Sequence, residues 1–271
     1  MIPGSVTLGF SINVNELFEF KPLFKIGGLP IYAHGFFLCL GLLIGLLMLI
    51  MEAQRRRWPK SEVVPIALAA FVGGMIGARI SLLFFYGARA TPAALNLFAL
   101  FDPRIGPGSI LGGLIGAYIA GYIASRAIGK AGCACDAFAP AIALGLAVGR
   151  IGDFMVAEDG MGKATTLPWA VPAPGVDYLV HPTPLYDSAF NLIWFGVLLL
   201  LRDRPAMQNG NLLKLGLAGY ALFRFGVEFV RNNPVVALGL TGAQFICLAL
   251  LAALALYYGR RWSSMRAVAS A

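Results

Sequence analysis

Seven stretches of this chain, 31–51, 63–86, 109–127, 136–157, 185–201, 212–230 and 241–258, are nearly continuous runs of apolar residues. A helix needs roughly 20 mostly apolar residues to cross a bilayer, and each run meets or approaches that length. Backbone polar groups in hydrocarbon must be satisfied within the segment, so runs of this kind become helices. Composition agrees: 59% of residues are hydrophobic and 13% charged, against about 45–50% and about 25% in soluble domains. A soluble globular domain and a disordered chain are both excluded. The expected fold is all-α, a single polytopic membrane domain over residues 1–271 with seven transmembrane helices. No basic segment followed by an apolar core opens the chain, so the first run is expected to stay as an anchor.

The basic residues orient the bundle. Loops after the first, third and fifth runs, with the C-terminal tail, hold twelve Lys and Arg, among them Arg55, Arg56, Arg57, Arg202 and Arg204. The N-terminus and the other loops hold six. The positive-inside rule then puts the N-terminus outside and the C-terminus in the cytoplasm. Long outer loops are expected at about 87–108 and 158–184, rich in Pro and Gly, as covers or arms of a site. The net charge of +8 is explained by these loop clusters, so nucleic acid is not an expected partner. The absence of an internal repeat argues against an inverted-repeat transporter.

Three arginines remain inside the runs: Arg79, Arg150 and Arg224. An arginine at membrane depth costs roughly 3 kcal/mol on insertion scales and is normally paired or functional. All three runs ascend from inside to outside, so the arginines are expected to converge in the outer half of the bilayer. Around them, Arg150 and Asp153 share a helix face at i and i+3, with Glu158 and Asp159 following. Arg224, Glu228 and Arg231 form one stripe at i, i+4 and i+7. Such a stripe must face the bundle interior or a polar cavity. Tyr32 and His34 open the first run, and His181, Tyr186 and Asp187 open the fifth. For the aromatic and histidine residues, interfacial anchoring or, for His181, capping of the following helix are the plainer alternatives. The guanidinium fork suits phosphate oxygens, so an anionic lipid headgroup is the expected ligand.

Glycine pairs at i and i+4 (Gly41 and Gly45, Gly73 and Gly77, Gly112 and Gly116, Gly145 and Gly149) are packing signals. Cys39, Cys133, Cys135 and Cys247 lack the spacing and histidine partners of a zinc site and read as buried or free thiols. No metal or cofactor is expected.

The blocks GARISLLFFY from Gly77, GSILGGLIG from Gly108, GRIGDF from Gly149, HPTPLYD from His181 and FRFGVEFVR from Phe223 resemble the bacterial prolipoprotein diacylglyceryl transferase family over nearly the whole chain. The resemblance implies a seven-span inner-membrane enzyme with its site open to the outer leaflet. Such an enzyme transfers the diacylglyceryl group of phosphatidylglycerol to the cysteine thiol of a lipoprotein precursor and releases glycerol 1-phosphate. It implies Arg150 on the lipid phosphate and Arg224 on the leaving group, with Asp153 and Glu158 as further catalytic candidates. Tyr32 matches a tyrosine of the pattern, and Arg79, Glu228 and Arg231 match its charged positions. Tyr32, His34, Arg79, Ser109, Gly112, Gly113, His181, Tyr186, Glu228 and Arg231 are the expected substrate-binding residues.

The chain also departs from the pattern. Leu111 stands where the family has a histidine often proposed as the base. Asp153 and Val156 stand for asparagines, Ala157 for glycine, and Pro184 and Asp187 for glutamine and glutamate. Leucine accepts no proton, so Asp153, Glu158 or His34 must supply the base if the same transfer occurs. Two alternatives stay open at this point: the same lipid site with another acceptor or donor, and a non-catalytic lipid-binding or lipid-moving protein.

Overall fold

The apolar runs form helices, as the hydrocarbon solvent requires. A computed structural model describes residues 23–26, 29–86, 110–129, 134–157, 161–174 and 176–269. Its long helices are α1 (Ala33–Arg55), α2 (Lys60–Tyr86), α3 (Ile110–Ala127), α4 (Phe138–Met155), α5 (Thr183–Leu201), α6 (Asn211–Val227) and α7 (Gly242–Ala269). Among the described residues, six helices are long and apolar enough to cross a membrane. The exception is α6, the sixth expected span, which has 17 residues and carries the buried Lys214 and Arg224. Its line continues only as the 3₁₀ turn Glu228–Val230. The structure is thus a polytopic all-α membrane protein in which the charged stripe shortens one helix.

Local chemistry sets several ends. The Thr-x-x-Gln sequence before α7 forms a reciprocal capping box: Thr241 N donates to Gln244 Oε1 at 2.9 Å and Gln244 N to Thr241 Oγ1 at 3.4 Å. The buried Asp136, in the 3₁₀ turn Ala134–Ala137 ahead of α4, accepts from Gly210 N at 2.8 Å and Leu213 N at 3.1 Å. A carboxylate from a distant segment thereby satisfies the open N-terminus of α6.

The glycine pairs face one another. Gly41 and Gly145 bring α1 against α4, where a Cβ on Gly41 would lie 2.5 Å from Gly145 O. Gly73, Gly77, Gly112 and Gly116 likewise close α2 on α3; a Cβ on Gly77 would lie 2.9 Å from Gly116 Cα. Ala139, Ala143, Leu198, Leu212 and Leu217 form the core between α4, α5 and α6. Leu42, Leu46, Ile193 and Leu200 are exposed on the outer faces of the helices, the arrangement expected when the solvent is lipid.

Three short antiparallel hairpins cap one end of the bundle: β1 (Phe24–Ile26) with β2 (Leu29–Ile31), β3 (Val171–Pro172) with β4 (Leu179–Val180), and β5 (Val235–Ala237) with β6 (Leu240–Thr241). The second expected outer loop is therefore built around a hairpin. It is tied down by the bridge Gly162↔Arg231 and by Lys163 N donating to Val230 O at 2.7 Å. The first outer loop, 87–108, lies outside the described residues. At the other end, Glu52 is buried and bonded to Arg55 and Arg56, with Arg202 of α5 closing the group. The thiol reading holds for Cys39 and Cys247. It needs correction at Cys135, which is disulfide-bonded.

Candidate active site

Antiparallel neighbours bring the start of α1 and α5 to the same end as the finish of α4 and α6. Four polar stretches consequently meet there. Asp187, in the first turns of α5, is fully buried. Its Oδ2 lies 3.2 Å from Arg150 Nε, 3.4 Å from Arg224 Nη1 and 3.2 Å from Arg231 Nη1. One carboxylate oxygen thus gathers guanidiniums from α4, from α6 and from the strand-like residue beyond it.

Glu228 balances the second side of the cluster. Its Oε2 is 3.0 Å from Arg224 Nη2 and 3.9 Å from Arg231 Nε, and its Oε1 accepts from Asn233 Nδ2 at 2.5 Å and Thr241 Oγ1 at 2.9 Å. Arg150 also donates from Nη1 to Asp153 Oδ2 at 2.6 Å. Burial, together with the neighbouring Arg224 guanidinium, lowers Arg231 to about 10, so it remains cationic at neutral pH. Arg150 Nε, Arg231 Nε and Asp187 Oδ1 are buried without a hydrogen bond of good geometry among the described residues. Arg150 Nε and Arg231 Nε nevertheless lie within ion-pair distance of Asp187 Oδ2 and Glu228 Oε2, at 3.2 and 3.9 Å.

The stripe of Arg224, Glu228 and Arg231 and the pair of Arg150 and Asp153 are therefore brought together as their spacing suggests. The hub is a residue that sequence reading left out of the site. Asp187 is an acid in the first turns of a membrane helix, within the HPTPLYD block, and its place inside the apolar run 185–201 was the signal available. Asn233, Thr241 and Gln244, which steady Glu228 and its surroundings, were also missed; the capping-box pattern ahead of α7 would have found the last two.

Other expected members stand elsewhere. Tyr32 is 43% exposed at the mouth of α1, whereas His34, one turn-step further, faces α4 with Nδ1 3.0 Å from Asp153 Oδ1. Arg79 is half-buried on α2, which packs chiefly against α3. Of the three membrane arginines, Arg150 and Arg224 meet through Asp187. Gly112 and Gly113 face α2, Gly112 against Ser81 and Gly77, and so close the gap between α2 and α3. Leu111 is buried in an apolar cluster with Tyr220, Ala221, Ala243 and Cys247.

His181 does not cap α5, whose N-cap is Pro182. Its Nδ1 lies 3.2 Å from Tyr186 Oη, which also accepts from Trp169 Nε1 at 2.8 Å. Ser109 and Glu158 lie outside the described residues. Among the described residues no group of three or more His, Cys, Asp or Glu side chains could hold a metal ion.

A bundle of membrane-length helices with three arginines gathered on a buried carboxylate at one end defines a polytopic membrane protein with a buried charged site. Residues 21–259 match the family described as prolipoprotein diacylglyceryl transferase. The chain belongs to that family. It is 34% identical over 232 residues to the phosphatidylglycerol–prolipoprotein diacylglyceryl transferase of Vibrio cholerae, covering 81% of each chain. The protein of the same name from Finegoldia magna is 30% identical over 231 residues, 85% of this chain and 91% of that one. The Methylibium petroleiphilum protein is 30% identical over 260 residues, 90% and 98% of the two chains.

Proposed function

We propose that this protein is a transferase that moves the diacylglyceryl group of phosphatidylglycerol onto the cysteine thiol of a prolipoprotein, at the outer face of a bacterial cytoplasmic membrane. The observation that carries the reading is the meeting of Arg150, Arg224 and Arg231 on Asp187. The chemistry is alkylation of sulfur with departure of a phosphate ester, and a departing phosphate needs fixed positive charge that does not reorganise during the step. Asp187 and Glu228 hold the guanidiniums in place, and each arginine has five donors, more than these carboxylates use. Arg150 is assigned to the lipid phosphate, Arg224 to the leaving oxygen, and Arg231 to holding Asp187 and Glu228 beside them. His34, Tyr32, His181 and Tyr186 are assigned to the mouth through which headgroup and acceptor enter.

The test is glycerol phosphate release from phosphatidylglycerol vesicles by the purified protein with a thiol-bearing lipobox peptide. Release by the unaltered protein is expected, and its loss by at least about 100-fold in Arg150→Ala and Arg224→Ala. Phospholipid retention without release in the unaltered protein would overturn the transferase reading in favour of a lipid-binding protein. Release with the peptide omitted would assign another acceptor.

A further inference from the structure

The thiol of a lipoprotein precursor has a reference pKa of about 8.5, so its attack on carbon at neutral pH calls for a base. Asp187 and Glu228 are engaged by guanidiniums, and His181 lies against Tyr186 on the outer arm. His34 differs from all of these. It is partly exposed, with 26% of its side chain accessible, and its Nδ1 faces Asp153 Oδ1 at 3.0 Å. Asp153 Oδ2 in turn accepts from Arg150 Nη1 at 2.6 Å. The approach of the two helices depends on Gly152: a Cβ there would lie 3.2 Å from His34 Cα and 3.2 Å from Ala33 O.

We propose that His34 is the base that takes the acceptor's proton, with Asp153 as its positioning residue; the proposal rests on the transferase reading above. A carboxylate oxygen 3.0 Å from Nδ1 favours the proton on that nitrogen, which leaves the lone pair on Nε2. Asp153 also touches the arginine assigned to the lipid phosphate, so one side chain links the base on α1 to the anion site on α4 and α5. In the step, the thiol proton passes to His34 Nε2 and the sulfur forms a bond to the glycerol carbon. The carbon–oxygen bond to the phosphate breaks, and its electron pair leaves on the phosphate oxygen. The imidazolium then returns its proton to the released glycerol phosphate, restoring the enzyme with atoms and charge balanced.

The charged groups around the imidazole are Asp153 and, behind it, Arg150 on α4, then Asp187 on α5. The hairpin leading into α1 contributes the exposed Lys25 and Tyr32. Since the base works deprotonated, kcat/KM should fall in acid, where the imidazole is protonated. The measurement uses full-length protein in phosphatidylglycerol vesicles with the lipobox peptide. His34→Gln should lower kcat by about 100-fold or more and abolish the acidic limb of the pH profile. A His34→Gln protein with the original rate and acidic limb would overturn the proposal.

A readout independent of turnover accompanies it. The chain has two histidines, so ¹⁵N-histidine spectra, assigned with His181→Gln, report the His34 tautomer directly. Protonated Nδ1 is expected in the unaltered protein, shifting towards protonated Nε2 in Asp153→Asn. Protonated Nε2 in the unaltered protein would overturn the proposal whatever the activity. An unaltered protein that titrates as described but never transfers lipid would refute the transferase reading, and with it this role for His34.

Discussion

Asp187 is the residue on which the site depends most. It is fully buried, and its Oδ2 contacts three arginines on separate stretches of chain. Removing one partner from a buried ion pair typically costs about 3–5 kcal/mol, because the charges left behind are neither hydrated nor paired. Asp187→Asn keeps the shape and removes the charge. It should therefore lower stability by about 3 kcal/mol, measured by denaturant unfolding in detergent. Adding Arg231→Gln, which withdraws one guanidinium, should recover part of that loss. Unchanged stability in the single variant would show that the arginines are held by something other than this carboxylate.

Individual residues also show what was legible in the sequence. Arg150, Arg224 and Glu228 stand out because a charge inside a 20-residue apolar run has no cheap place to go, and helical spacing adds Arg231 to the face of the last two. The pairing of His34 with Asp153 was not legible, since it depends on how α1 lies against α4. Asp187 was obscured for a similar reason. Next to His181, Thr183 and Tyr186 it reads as one more polar residue at a helix entrance, and its centrality appears only when three other segments close around it.

At the level of elements, helix positions followed from apolar length, whereas their ends were set by chemistry that hydropathy does not register. The apolar run continues past Val227, yet α6 stops there and gives way to a 3₁₀ turn, with Glu228 drawn to Arg224, Asn233 and Thr241. The end of α4 carries a sharper example. Val156 N still donates to Gly152 O at 3.3 Å, but Ala157 turns left-handed with φ of 45°. A left-handed residue after a helix is usually glycine, and a Cβ there costs roughly 1–2 kcal/mol. The family resemblance puts glycine at this same position. Ala157→Gly should accordingly raise stability by about 1 kcal/mol, read as a later midpoint in thermal unfolding in detergent. A midpoint that falls would mean that the Ala157 methyl contributes more through packing than its backbone conformation costs.

For the whole molecule, the two ends of the bundle are chemically different, and that asymmetry orients the site. One end joins Glu52 to Arg55, Arg56 and Arg202, with Arg57 and Arg204 exposed nearby. The other has the hairpins, the His34–Asp153 contact and the arginines on Asp187. Basic loop residues favour the cytoplasmic side because their translocation is disfavoured, so the end bearing Glu52 should lie inside and the arginine site outside. The exposed Thr166, on the segment leading to β3, and the exposed Gln208, in the turn before α6, mark the two ends. Thr166→Cys should react with a membrane-impermeant maleimide in intact cells, whereas Gln208→Cys should react only after permeabilisation. The unaltered protein supplies the blank for its own thiols. The reverse labelling pattern would place the arginines against the inner leaflet. A site there could not meet an acceptor already carried across the membrane, and the assignment of an outer-leaflet lipid to Arg150 would fall with it.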